Sequence, residues 1–128
     1  MEFKGQQPIY LQIAELICSQ IQEGTYAEDD RLPSVREYAT QVEVNVNTLV
    51  RSYDWLSQQG IIYNRRGLGY YVSPGAAGCI ATQRRHRFFQ HTLPEVFASM
   101  QTLGIGIGEV TQAYVRYAQD MPPAGEQQ

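Results

Sequence analysis

The chain has 128 residues, of which 43% are hydrophobic, and a formal net charge of −3. This length suits one domain, or one small domain with an appendage, and the apolar content excludes a chain that is disordered throughout. No apolar run reaches the roughly 20 residues of a membrane span, no signal-peptide pattern stands at the N-terminus, and two distant cysteines (Cys18 and Cys79) make no disulfide framework, so we expect a cytoplasmic protein without a membrane partner.

Charge is distributed unevenly along the chain. Residues 31–87 hold eight arginines and three acidic residues, an excess of five positive charges, whereas both flanks are acidic. Arginine forms bidentate contacts with phosphate and guanine, which suits a nucleic-acid partner. A charge excess alone is also typical of a solvated surface. The motifs of this segment are therefore needed to choose between a nucleic-acid partner and a solvated surface.

The first predicted element is an amphipathic helix over residues 8–23. Pro8 is favoured in the first turn of a helix, and Gly24 is typical of the position just after the last turn. Apolar residues recur between them every three or four positions, which is the period of one helix face. These residues are Ile9, Ile13, Leu16, Ile17 and Ile21. A polar loop follows, with a very short strand at residues 31 and 32.

Two helices around a tight turn are predicted next. Ser34 and Glu37 form an S-x-x-E capping box, which starts a short helix over about residues 34–41. A second helix begins after about three residues, with Asn45 or Asn47 as its N-cap, and runs to Gln59 before a glycine. Its apolar stripe, which should face the core, is Leu49, Tyr53 and Leu56.

Residues 61–72 predict a β-hairpin. Two runs of β-forming residues, at 61–64 and 70–72, flank a loop with the sequence Arg-Arg-Gly-Leu-Gly at 65–69. Two glycines in a short loop between such runs favour a hairpin turn.

The chain beyond the hairpin is predicted to be helical again. Phe89, Leu93, Val96, Met100 and Leu103 recur at alternating spacings of four and three, as in the seam of a coiled coil. Pro94 interrupts this seam, and Thr92 with Glu95 matches a T-x-x-E capping box, so a kink or a restart is expected there. A last helix is predicted over about residues 107–119.

The order of helix, short helix, tight turn, helix and hairpin is that of a winged helix-turn-helix. We therefore expect a mainly α (α+β) fold. The second helix of such a pair presents its N-terminal residues to base edges in the major groove, where Asn and Arg match adenine and guanine. The hairpin is then the wing, with Arg65 and Arg66 directed to phosphate or into the minor groove.

Residues 6–72 resemble the DNA-binding domain of the GntR family of bacterial transcription regulators. The resemblance lies in Leu-Pro-Ser-Val-Arg-Glu at 32–37, in Asn-x-Asn-Thr at 45–48 with Arg51 and Tyr53, and in Arg-Gly-x-Gly at 66–69. It implies DNA contacts for the matching positions. With their neighbours, the predicted DNA-binding residues are Ser34, Arg36, Asn45, Val46, Asn47, Thr48, Arg51, Arg65, Arg66 and Gly67.

The chain departs from the family pattern at the helix-turn-helix. Glu43 stands where a glycine is usual, Val46 replaces the proline of Asn-Pro-Asn-Thr, and Val50 replaces a residue that is commonly polar. Val46 and Val50 are four positions apart and so share one helix face. We hypothesise that both contact thymine methyl groups.

The short C-terminal part resembles the YtrA-like subfamily, whose C-terminal helices serve only for dimerisation. This implies a winged helix-turn-helix domain over residues 1–74, a dimerisation region over 75–121 and a tail over 122–128. The predicted dimerisation residues are Phe89, Leu93, Val96, Phe97, Met100 and Leu103. The predicted function is that of a homodimeric repressor that binds double-stranded DNA at an inverted repeat, with any small-molecule effector unknown.

Other functions receive less support from the residues. A winged-helix module that binds protein and no DNA remains the alternative, and it would leave its arginines ion-paired or on separate surfaces. The basic run at 84–87 is either a second DNA patch or a solvated helix face. No catalytic motif, cofactor motif or metal-ligand spacing is present; His86 and His91, five apart, miss the spacing of helical metal ligands.

Overall fold

The computed structural model describes residues 7–121 and contains six α-helices and one two-stranded sheet in that range. The predicted tail at 122–128 lies outside the described residues. The chain forms two compact units that divide between Arg84 and Arg85. No helix in the described range is long and apolar enough to cross a membrane.

The first unit contains three helices, a hairpin and most of a fourth helix, and all of them contribute to one core. Helix α1 (Ile9–Glu23) packs on α3 (Val46–Gln58), and α2 (Val35–Val42) packs on the same helix. The apolar faces predicted from the sequence meet in this core, except that Leu16 is only half-buried and Ile9 is exposed. Ile9 is 44% exposed, because it lies at the first turn of α1.

The hairpin consists of β1 (Ile62–Arg65) and β2 (Gly69–Val72), paired antiparallel with Ile62 opposite Val72. The predicted short strand at residues 31 and 32 is present as a single bridge between Arg31 and Tyr71. The winged helix-turn-helix expected from the sequence is thereby confirmed. Helix α4 (Ala76–Arg87) follows and buries Ala76 and Ile80 in the same core.

The second unit consists of a π-helical turn (Phe88–Thr92), α5 (Leu93–Leu103) and α6 (Ile107–Asp120). The predicted capping box at Thr92 is wrong: Thr92 has helical dihedral angles, and its side chain accepts no capping hydrogen bond. The residues before it are already helical, so no helix starts there that needs a cap. Pro94 has no N–H to donate within the helix. Kinks in helices occur at prolines and at π turns, and both features are present here.

Candidate nucleic-acid interface

Tyr53 joins the three elements that carry the predicted DNA-binding residues. Its hydroxyl donates to the Pro33 carbonyl, two residues before α2, over 2.7 Å. Its ring makes edge contacts with Tyr38 of α2 and with Tyr70 of β2, at centroid distances of 6.4 and 5.1 Å. Burial raises the pKa of Tyr53, so the hydroxyl stays protonated and available as a donor. The start of α2, the helix α3 and the wing are therefore held together by one side chain.

The start of α2 has the predicted capping box. The Ser34 hydroxyl accepts from the Glu37 N–H, and the Ser34 N–H donates to Glu37 Oε1, both over 3.1 Å. Hydrogen bonding to the carboxylate by the Ser34 backbone N–H, and secondly by the Ser34 side chain, lowers the pKa of Glu37 and keeps it charged. Arg36 is exposed on the first turn of the helix that the box starts. The backbone that carries Arg36 is thus fixed locally.

The turn between α2 and α3 positions the first turn of α3. Glu43 adopts the left-handed conformation, with φ 57°, at a place where a glycine avoids the steric cost. Asn45, rather than Asn47, is the N-cap: its Oδ1 accepts from the Asn47 N–H over 2.8 Å. The side chain of Asn47 is consequently free of capping and exposed.

Two valines accompany Asn47 on the exposed surface of α3. Val46 is 37% exposed and Val50 is 41% exposed, whereas Leu49 between them is fully buried. Thr48 is half-buried, and its carbonyl accepts from the Ser52 hydroxyl. The first turns of α3 therefore present one amide and two branched apolar groups to solvent, a set suited to base edges and thymine methyl groups.

Arg51 is held towards α1. Its guanidinium lies over the Tyr10 ring, with 4.2 Å between Cζ and the ring centroid. The neighbouring Ser52 hydroxyl donates to the Tyr10 carbonyl over 2.7 Å, so the same part of α1 is bound twice. Stacking leaves the edge of the guanidinium, with its N–H donors, available. DNA contact by Arg51 remains a prediction.

The two wing arginines have different surroundings. Arg65 stacks on the Tyr71 ring, with Cζ 4.9 Å from its centroid, and Tyr63 stacks on the same ring. Arg66 lies in the turn between the strands and is exposed. Gly67 follows with φ 78°, a conformation that favours glycine, and the turn closes through the hydrogen bond from Leu68 N–H to the Arg65 carbonyl. Both arginines are exposed, and Arg65 is in addition held against a tyrosine ring.

Arg31 is a further basic residue near the wing, and it was not among the residues predicted from the sequence to bind DNA. Its guanidinium lies against Gly69, the first residue of β2, next to the turn of the wing. Its positive charge was visible in the sequence, but its contact with a glycine far along the chain was not.

The predicted dimerisation residues all lie in the second unit. Phe89, Val96, Phe97 and Leu103 are exposed, and Leu93 and Met100 are half-buried. An open apolar groove of about 430 Å³ runs beside them. Its lining residues are Thr92, Glu95, Val96, Ser99, Met100, Leu103, Ile105 and Val110.

The basic run at 84–87 does not form a single surface with all its arginines available to a partner. Arg84 forms an ion pair with Glu15 of α1 over 3.1 Å and donates to the Ser19 hydroxyl and to Gln22 Oε1. Arg85 stacks over the Phe89 ring. Among residues 7–121, no group of three or more His, Cys, Asp or Glu side chains could hold a metal ion.

Comparison with known proteins identifies the family. The family described as bacterial regulatory proteins, gntR family, matches residues 9–72. The transcriptional regulator YhcF of Bacillus subtilis is 35% identical over 104 residues, which cover 81% of this chain and 84% of YhcF. The transcriptional repressor YtrA of the same organism is 42% identical over 69 residues, which cover 54% of this chain and 53% of YtrA.

Solved structures agree with this family in fold. A GntR-family regulator from Bacteroides thetaiotaomicron has 43% identity and a TM-score of 0.77, over 88% of this chain and 98% of that one. The DNA-binding domain of AraR in complex with operator ORR3 has 29% identity and a TM-score of 0.52, over 57% of this chain and 88% of AraR's. The predicted resemblance to the GntR family and its YtrA-like members is confirmed. The chain therefore belongs to the GntR family, which consists of transcription regulators that bind DNA and not of enzymes.

Proposed function

We propose that this protein is a homodimeric repressor that recognises a specific inverted-repeat operator in the cytoplasm. The observation that carries the proposal is the composition of the first turns of α3. Asn47, Val46 and Val50 are exposed there, whereas the opposite face of the helix is fully buried. The repressor role is supported by the name of YtrA, whose similarity covers about half of each protein.

In this proposal α3 enters the major groove with its N-terminal end first. Asn47 pairs with an adenine edge, and the two valines contact thymine methyl groups. Asn45 and Thr48 contact bases or phosphate from the same turn. Arg51 reaches a phosphate with its N–H edge while its face stays on Tyr10. Few side chains thus read the base sequence directly, and most of the other DNA-contacting side chains position the helix on the DNA.

The start of α2 and the wing contact the DNA backbone on either side of α3. Ser34 and Arg36 donate to phosphate at the start of α2, where the helix dipole also favours an anion. Arg66 and Gly67, at the exposed turn of the wing, approach the minor groove or its phosphates. Arg65, stacked on Tyr71, has a smaller part. Affinity should therefore fall steeply as salt concentration rises.

The dimer is proposed to form through the exposed apolar side chains of the second unit. Exposed apolar surface rimmed by polar residues is typical of protein interfaces. A symmetric dimer would place two α3 helices one helical turn of DNA apart, or a multiple of it, on an inverted repeat. The two-fold symmetry of the dimer is the reason why the proposed operator is an inverted repeat.

The test is selection from a pool of randomised DNA duplexes by the purified full chain, followed by sequencing of the bound fraction. The wild type should enrich an inverted repeat. Asn47→Ala should lose preference at one base pair in each half-site, which corresponds to about 1–3 kcal/mol of discrimination. Gln58→Ala, an exposed change near the other end of the same helix, is the matched control and should select the wild-type sequence. Enrichment of no sequence by a folded wild-type protein would refute the proposal.

A further inference from the structure

We propose that Arg31 is a further phosphate-binding residue of the DNA surface, placed beside the turn of the wing by Gly69. This inference rests on the proposed mode of DNA binding. It adds a cation between the start of α2 and the wing, where no contact was predicted from the sequence.

The backbone of Arg31 runs along the wing towards its turn. Arg31 is bridged to Tyr71, and Leu32 N–H donates to the Tyr70 carbonyl over 2.9 Å. Because the pairing is antiparallel, this segment proceeds towards the turn of the hairpin as β2 leaves it. The next residues, Pro33 and Ser34, lead into α2. Arg31 therefore lies where the wing and the start of α2 come together.

The side chain of Arg31 extends further in the same direction. A Cβ atom built on Gly69 would lie 3.2 Å from Arg31 Nε and 3.5 Å from Nη2, so the guanidinium lies directly against this glycine. Gly69 is two residues closer to the turn than Tyr71, which is about 7 Å along a strand. The φ of Gly69, +112°, also disfavours any residue with a side chain. Gly69 thus leaves the space that the guanidinium occupies.

The guanidinium of Arg31 is available to an anion. Arg31 is exposed and forms no ion pair with any residue that the structure describes. Arg31 is near enough to the Glu37 carboxylate to help lower its pKa, but that carboxylate forms no ion pair with Arg31 and accepts the Ser34 N–H. Other arginines of the unit are engaged: Arg84 with Glu15, and Arg65 with Tyr71. A planar guanidinium with free N–H donors binds a phosphate in two-pronged geometry.

A phosphate, rather than a base, is the ligand that fits this position. Arg31 lies beside the backbone of the wing and not on the first turns of α3, which carry the base-reading groups. Its loss should therefore weaken binding similarly for all DNA sequences.

The experiment measures operator affinity by fluorescence anisotropy at a series of KCl concentrations, using the full chain and its selected operator. Arg31→Ala should weaken binding of the dimer about 100-fold, or tenfold for the one charge-assisted hydrogen-bonded contact of each protomer. The slope of log K against log salt should become shallower by about 1.8, because each of the two protomers neutralises one phosphate fewer. Arg31→Lys should keep the wild-type slope. Arg116→Ala, on α6, is the charge-matched control and should leave the slope unchanged.

A second variant tests the role of Gly69. Gly69→Ala should weaken DNA binding in the wild type but have a smaller effect in the Arg31→Ala protein, because the displaced side chain is then absent. A wild-type slope in Arg31→Ala would overturn the inference while leaving the proposed function intact. Failure of the wild type to bind any operator would instead remove the proposed function itself.

Discussion

The two units of the chain bury their apolar residues very differently. All sixteen buried hydrophobic residues among those described lie in the first unit, at or before Ile80. No residue between 85 and 121 is buried. The first unit therefore has a core of its own, whereas the helices of the second unit leave their apolar faces uncovered within one chain. The stability of the second unit should therefore depend on packing of these apolar faces against a further surface.

The location of exposed apolar residues adds to this difference. Ten of the fourteen large hydrophobic residues that are exposed lie in the second unit. Of the four in the first unit, Val46 and Val50 lie on the exposed surface of α3 and Leu68 lies in the turn of the wing. Exposed apolar side chains in this protein thus gather at the surfaces proposed for binding DNA and a second copy.

The largest expected effect comes from a charge in the apolar surface of the second unit. Phe97→Asp should convert the dimer to a monomer, because a carboxylate cannot be buried there without a partner. Operator affinity should fall about 100- to 10,000-fold, since the two half-sites are no longer bound together. Sedimentation velocity measures the assembly state, and anisotropy the affinity.

This substitution should leave the first unit folded. The only tryptophan, Trp55, lies on α3 and reports on that unit. Its urea transition should be unchanged in Phe97→Asp. A dimer of undiminished stability in this variant would contradict the proposed role of the second unit.

A matched pair of leucines compares the two units directly. Leu56 is fully buried in the first unit, and Leu103 is 69% exposed in the second. Leu56→Ala should lower the free energy of unfolding by about 2–5 kcal/mol, through lost apolar contacts and the cavity left behind. Leu103→Ala should change it by less than about 0.5 kcal/mol in a dilute monomer. Urea titration gives both values, followed by Trp55 fluorescence for Leu56→Ala and by far-ultraviolet circular dichroism for Leu103→Ala, and equal losses would disprove the contrast.

The smallest expected effect concerns alkaline pH. Tyr38 is buried, and its hydroxyl donates to Gln20 Oε1 over 2.8 Å. Burial raises the pKa of Tyr38 from 10.0 to about 12. The folded state therefore keeps this hydroxyl neutral at a pH where the unfolded state ionises. The resulting stability is complete below pH 10 and is lost as the pH rises towards 12.

The measurement is the urea midpoint of Trp55 fluorescence between pH 8 and pH 11.5. The wild type should lose about 1–2 kcal/mol through Tyr38 over this range, and Tyr38→Phe should lose correspondingly less. Tyr117→Phe, an exposed change in the second unit, is the control and should follow the wild type. Identical pH profiles for all three proteins would show that Tyr38 does not cause the alkaline loss.

Local signals in the sequence predicted most of the fold. The period of apolar residues in α1 and α3, the capping box of Ser34 and Glu37, and the glycines of the wing turn each act within a few residues. The structure has these elements close to the predicted places. The capping box at Thr92 failed because the same four-residue pattern has no meaning where the preceding residues are already helical.

The sequence by itself determined the family and the order of elements, and it predicted all but one of the residues proposed to contact DNA. Only the tertiary structure decided how the arginines differ. Arg51 lies on Tyr10, Arg84 pairs with Glu15, and Arg31 lies against Gly69. These contacts join residues that are far apart in the chain, so no local pattern encodes them. A side chain that is charged in the sequence becomes a DNA ligand or a structural contact according to what folding brings beside it.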